Sequence, residues 1–90
     1  MKSIMLGDDP ERCYLCGAYG RMEVHHCIHG TANRKIADQY GLTVHLCGYC
    51  HRQLHDHGTY DKFLMAEAQK AFEAEFGHDA WIRKVGKNFI

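Results

Sequence analysis

The stretch Leu42-Thr-Val-His-Leu-Cys-Gly-Tyr-Cys-His-Arg-Gln-Leu-His55 decides the fold. Leu42 to Leu46 has the β-branched content of a strand. Cys47-x-x-Cys50 follows at once, a spacing at which a tight turn aims two sulfurs at one ion. A short helix is predicted to begin at this knuckle. His51 and His55 stand four residues apart on it, one above the other on the same face, so both imidazoles can hold one ion.

Outward toward the N-terminus the knuckle has a counterpart. Cys13-Tyr14-Leu15-Cys16-Gly17 repeats the spacing, with a glycine free to take positive φ after the second thiolate. Four thiolates suit zinc and leave no coordination position open, so Cys13, Cys16, Cys47 and Cys50 are predicted to hold a structural Zn²⁺. Such sites contribute an apparent ~10–16 kcal/mol to folding at neutral pH. A chain of 90 residues needs that help, because it buries only about 60–65% of the surface exposed when unfolded. Cys27 is left over and reads as a small apolar core side chain.

The apolar stretch Ile4-Met5-Leu6 is much shorter than a secretory signal requires, and no run approaches the ~20 apolar residues of a membrane span. The expectation is a cytosolic chain with no membrane partner, where reduced cysteines in pairs mean metal rather than disulfide. Formal charge is zero, from 11 Lys+Arg and 11 Asp+Glu. The distribution is uneven: Arg12, Arg21, Arg34, Lys35 and Arg52 face only Glu23 and Asp38 over the same span, and acidic residues gather between Asp61 and Asp79. Charge permits a nucleic-acid partner without requiring one.

Histidines form a second constellation. A strand within Met22–Ile28 carries His25 and His26. With His51 and His55, His25 makes a three-imidazole set that leaves positions open for water and substrate, as a catalytic ion requires; His57 competes with His55 for the third place. His26 is then free as a general base with a pKa near the working pH. Adjacent strand residues point to opposite faces, so both reach one phosphate only where the strand bends or ends. His29, His45 and His78 read as surface or core residues, with His45 placed to back the site.

Between the strands, Gly30 to Gly41 is a long connection holding Asn33-Arg34-Lys35, with a helical turn over Lys35–Tyr40. Past the core, Asp61 is the predicted N-cap of a helix whose Leu64, Ala68, Ala71, Phe72 and Phe76 form one stripe. Gly77 ends it, and Asp79 caps a further short helix through Trp81, Ile82 and Val85. The organisation is a lead-in over 1–12 that covers the domain loosely, a zinc-braced core over 13–58 and a helical tail over 59–90.

The order Cys-x-x-Cys, His-His, Leu-Cys-x-x-Cys-His and a further His resembles the zinc-knuckle branch of the HNH endonucleases. His25-His26, Asn33-Arg34-Lys35, Tyr40-Gly41-Leu42, Leu46-Cys47-Gly48-Tyr49-Cys50-His51, Ala71-Phe72-Glu73 and Gly86-Lys87-Asn88-Phe89 are similar, closer still, to the phage RecA-dependent recombination-enhancement nucleases. The resemblance implies an α+β, ββα-metal (HNH, treble-clef-like) domain with four-cysteine zinc knuckles and a C-terminal helical tail. It implies hydrolysis of DNA, single- or double-stranded, with 5′-phosphate and 3′-hydroxyl products, in a phage or prophage protein acting in the bacterial cytoplasm, with a recombinase filament as a possible partner. His25, His51 and His55 carry over as ligands of a catalytic divalent metal, and His26 as base. Imidazole ligands accept Mg²⁺, Mn²⁺, Zn²⁺ or Ni²⁺. The asparagine that many HNH enzymes place before the second knuckle is replaced by Leu42-Thr43-Val44-His45, so either Asn33 or a backbone carbonyl orients His26. Arg34, Lys35 and Arg52 are candidates for phosphate contacts. The rival is a non-catalytic zinc module binding nucleic acid or protein, which explains the cysteines and the zero charge but not the four histidines.

Overall fold

The computed structural model describes residues 3–90; Met1 and Lys2 of the lead-in lie outside it. Two strands, β1 (Glu23–His26) and β2 (Thr43–Leu46), enclose α1 (Thr31–Tyr40); α2 (Gly48–His57), α3 (Asp61–Phe76) and α4 (His78–Lys84) follow. The Cα radius of gyration is 12.5 Å, against about 12 Å for a compact chain of this length. The architecture is small, compact α+β.

The strands pair antiparallel, with Glu23 opposite Leu46, Val24 opposite His45, His25 opposite Val44 and His26 opposite Thr43. Alternation sorts the side chains. Glu23, His25, Val44 and Leu46 share one face, and Val24, His26, Thr43 and His45 share the other. Both strands are shorter than the sequence suggests, and β1 ends on His26.

The connection between the strands is a full ten-residue helix rather than a loop with one helical turn. Its N-cap, Gly30, offers no side-chain bond, and Thr31 and Asn33 are weak helix formers, so the first half carries no local signal. Burial of Ala37 on the core and the left-handed Gly41, whose N–H reaches the Ala37 carbonyl, define the second half.

The core is one cluster running through all three segments of the chain. Trp81, Phe72, Leu64 and Ala68 of the tail are fully buried with Ile28, Leu42, Val44, Leu46 and Cys27. Phe72 meets Trp81 edge-on at 5.6 Å and Tyr40 at 5.1 Å. Buried Gln69 satisfies its amide completely, donating to Glu73 and Asn88 and accepting from the Phe89 N–H, while the Trp81 indole donates to the Lys87 carbonyl. Phe76, placed on the same stripe, is nearly half exposed and packs against Tyr40 and Phe72.

Two caps differ from expectation. Tyr60, at φ 64°, is the N-cap of α3, and Asp61 is its first helical residue with its carboxylate turned to His29. Gly77 both ends α3 and precedes α4, leaving Asp79 in the first turn of α4. The lead-in is bound rather than loose. Ser3 Oγ donates to the Thr43 carbonyl, Ile4 N–H to Gly41, and Asp8 accepts from both the N–H and ring Nδ1 of His45, each at 2.8 Å. His45 therefore faces the lead-in, on the sheet face opposite His25. No helix of the described residues is long and apolar enough to cross a membrane.

Candidate metal centres and active site

The two knuckles are built alike. In each, the first cysteine sulfur accepts from the backbone N–H three residues on: Cys16 to Cys13 at 3.5 Å and Cys50 to Cys47 at 3.4 Å. Gly17, at φ 78°, closes the first turn, and Cys47 is also the N-cap of α2. The Tyr14 N–H bonds the His45 carbonyl, fastening the first knuckle to the strand that runs into the second. All four sulfurs lie within 4.8 Å of one another. The Cys16–Cys47 separation of 3.7 Å matches the edge, about 3.8 Å, of a tetrahedron with ~2.3 Å Zn–S bonds.

The surroundings of Cys13 and Cys50 shift their thiols in opposite directions. Burial raises the Cys13 thiol, yet the N–H groups of Cys16, Cys47 and Leu15 outweigh it and bring it to about 6. Cys50 is pushed strongly the other way, by burial first and then by the neighbouring thiols. The four-cysteine cluster can hold a structural metal such as zinc. Cys27 stands apart, fully buried and with its thiol raised by that burial, an inert core side chain.

The second cluster is His25, His51 and His55, again with one ligand atom from each within 4.8 Å of the others. α2 supplies two at helical spacing, and β1 delivers the third from across the cavity. The His51 and His55 Nε2 atoms are 3.2 Å apart, close to the ~3.3 Å edge expected for ~2.05 Å metal–nitrogen bonds in a tetrahedron. His51 Nδ1 donates to Glu23 at 2.7 Å, which leaves its Nε2 lone pair facing inward. His25 is only 3% exposed. Its Nε2 is the one buried side-chain polar atom without a hydrogen-bond partner among the described residues. Burial first, then the neighbouring His51, His29 and His55 rings, pull its pKa down to about 4, so the ring stays neutral with a lone pair to give. An orphaned, buried, neutral imidazole beside two others fits a bound divalent cation. His57, at the far end of α2, is outside the cluster.

His26, the last residue of β1, stands next to this cluster. His25 and His26 line the same cavity, of about 430 Å³, together with His29, Arg34, His51 and His55. His26 Nε2 lies 2.7 Å from Asp38 of α1, so Asp38, rather than Asn33 or a backbone carbonyl, stands against it. Asn33 is half-buried one turn earlier on the same helix. Of the candidate phosphate contacts, Arg34 reaches the cavity; Lys35 and Arg52 are exposed on α1 and α2 outside its lining.

Three carboxylates not singled out for the site from sequence stand behind its histidines: Glu23 behind His51, Asp38 behind His26 and Asp61 behind His29 at 2.5 Å. Glu23 alone was accessible from sequence, since a carboxylate two residues before a strand histidine shares its face. Comparison with protein-family models, curated proteins and solved structures finds no match to this chain.

Proposed function

We propose that this chain is a metal-dependent endonuclease of the HNH, ββα-metal kind, hydrolysing DNA phosphodiester bonds. The observation that carries the reading is the buried Nε2 of His25, unpartnered beside His51 and His55, with a carboxylate-backed histidine at the next residue. A structural zinc site does not call for that second set. Membership of the recombination-enhancement nucleases, a phage origin, cytoplasmic action and a recombinase filament as partner rest on the motif resemblance.

His25, His51 and His55 would hold a divalent cation, which would supply charge stabilisation at the scissile phosphate. Asp38 accepts the Nε2–H of His26 and so fixes the tautomer whose Nδ1 takes a proton from the attacking water. Glu23 holds His51 in its ligating orientation. Arg34, at the cavity wall, is the cationic side chain placed to meet a phosphate.

Cleavage of plasmid and of single-stranded DNA with Mg²⁺ or Mn²⁺ tests this. The His26→Ala protein is expected to lose activity by at least ~10²-fold while keeping both ions, and His51→Ala to lose the second ion as well. Undiminished cleavage by His26→Ala overturns the assignment of the base. Failure of the wild type on every DNA form, alone and with a recombinase filament on the DNA, returns the chain to the non-catalytic zinc modules.

A further inference from the structure

A second concavity, of about 590 Å³, lies against the first zinc knuckle and is walled by Leu6, Arg12, Leu15, Tyr60 and Phe63. Its apolar members are unusually open for so small a domain: Leu6 is 90% exposed, Tyr60 60% and Phe63 47%. The two rings stand edge-to-face at 6.3 Å. Arg12 is the basic residue of the wall. Its Nε–H is held by the Gly17 carbonyl and its guanidinium lies over Tyr19 at 5.5 Å, with no carboxylate paired to it among the described residues.

Tyr60 is held outward against its own preference. It is the only non-glycine at positive φ among the described residues, a conformation that glycine takes without strain and a tyrosine does not. The ring makes no compensating entry into the core. The next residue, Asp61, bonds His29 on the wall of the histidine cavity, so one peptide step and one hydrogen bond link Tyr60 in this wall to that one. The wall therefore offers two exposed rings and a cation not paired to a carboxylate among the described residues, within one residue of a group that contacts the histidine cavity.

We propose that this groove binds an unpaired nucleobase, which makes single-stranded or locally unpaired nucleic acid the substrate class of the neighbouring cavity. The inference rests on the nuclease reading for that cavity. Exposed aromatic rings stack on any base with little sequence preference, and a nearby cation meets the backbone. Bases inside a duplex are stacked on both faces and offer only edges in the grooves, so a ring platform selects against them. Arg12 in the wall and the link from Tyr60 through Asp61 to His29 favour a nucleic acid over an apolar peptide as the occupant.

The test is binding of a labelled short oligothymidylate, and of its duplex with oligoadenylate, to the zinc-loaded protein without added catalytic ion. The Tyr60→Gly/Phe63→Ala variant suits it, since glycine accepts the backbone at 60 and both rings are exposed; its melting curve serves as the control for folding. The wild type is expected to prefer the single strand. The variant should lose about tenfold or more of single-strand affinity and less than twofold of duplex affinity. An abasic strand should weaken the wild type but not the variant. Equal losses on both substrates, or none, overturn the groove assignment and leave it to a protein partner. If the wild type cleaves DNA normally while the variant binds unchanged, only this inference falls. If the wild type neither binds nor cuts any form, the nuclease reading falls with it.

Discussion

The two halves of the molecule are held together by different physics. From Asp61 onward, α3 and α4 close over a dry aromatic core of Phe72 and Trp81, and the buried amide of Gln69 has every bond made. Between Cys13 and His57, Ile28, Leu42, Val44 and Leu46 complete that same core, but thiols and imidazoles converge as well. There the convergence is incomplete in itself: four sulfurs within 4.8 Å, and a buried ring nitrogen with nothing to bond. The tail is held by packing and hydrogen bonds; the segment before it packs on the same core and adds two clusters that can hold metal. The division teaches that metal loading and core packing should be separable by experiment.

The widest separation comes from removing zinc. A structural site of this type contributes ~10–16 kcal/mol, as much as the entire ~5–15 kcal/mol stability of an ordinary domain. A strong chelator, or Cys47→Ser, is therefore expected to abolish cooperative unfolding in thermal melts followed by circular dichroism. Residual helix from α3 is compatible with this; a sharp melt at an unchanged temperature is not, and would remove the four-cysteine site from the account of stability.

Phe72→Ala attacks the other half. Its ring is fully buried against Tyr40 and Trp81, and truncating such a ring costs about 3–5 kcal/mol. Zinc stoichiometry in the folded protein should stay at its wild-type value, measured by metal analysis beside the melt. Loss of zinc in step with stability would show that the halves are one unit energetically, and the contrast would be broken.

The same division decides what could be read without coordinates. The knuckles, the start of α2 and the stripe of α3 were legible because each depends on spacing along a few residues: Cys13 to Cys16, Cys47 to Cys50, His51 to His55. The two strands were legible from their apolar and β-branched content, though not their shortness or register. The first half of α1 was illegible, because Gly30 gives no cap and Thr31–Arg34 show no apolar period; tertiary burial of Ala37 settles it. Asp61 looked like a cap because its chemistry suits one, and it serves His29 instead. Which carboxylate stands behind which histidine is set by how α1 and α3 pack on the sheet, so Asp38 could not be found from sequence. Asn33, the nearer candidate in composition, lies on the same helix and was preferred for lack of a register. His25 and His26 share a cavity that also takes in Val24 from the other face of β1, so it wraps the free edge and end of a two-stranded sheet, which alternation along the sequence does not reveal.

The smallest expected effect sharpens the difference between the two clusters themselves. The Glu23 side chain hydrogen-bonds only the histidine set: its carboxylate receives the Nδ1–H of His51 at 2.7 Å and bonds no cysteine ligand. A carboxylate in that position fixes the ring orientation and makes the opposite nitrogen a better donor, and losing such a partner lowers metal affinity by about 10–100-fold. Glu23→Gln keeps an acceptor oxygen of the same reach while removing the charge, so the low end is expected, about tenfold weaker binding of the second ion. More than half of the Glu23 side chain is exposed, at 55%, so its removal leaves no buried polar gap and the fold should hold. Titrating Mn²⁺ or Co²⁺ into zinc-loaded protein measures the second ion directly, while a colorimetric zinc-release assay reports on the thiolates. A tenfold weaker second site with unchanged zinc release is the result that keeps the clusters distinct. An equal loss at both, or none at the histidines, would mean that Glu23 stabilises the hairpin as a whole and that His51 is oriented by α2 alone.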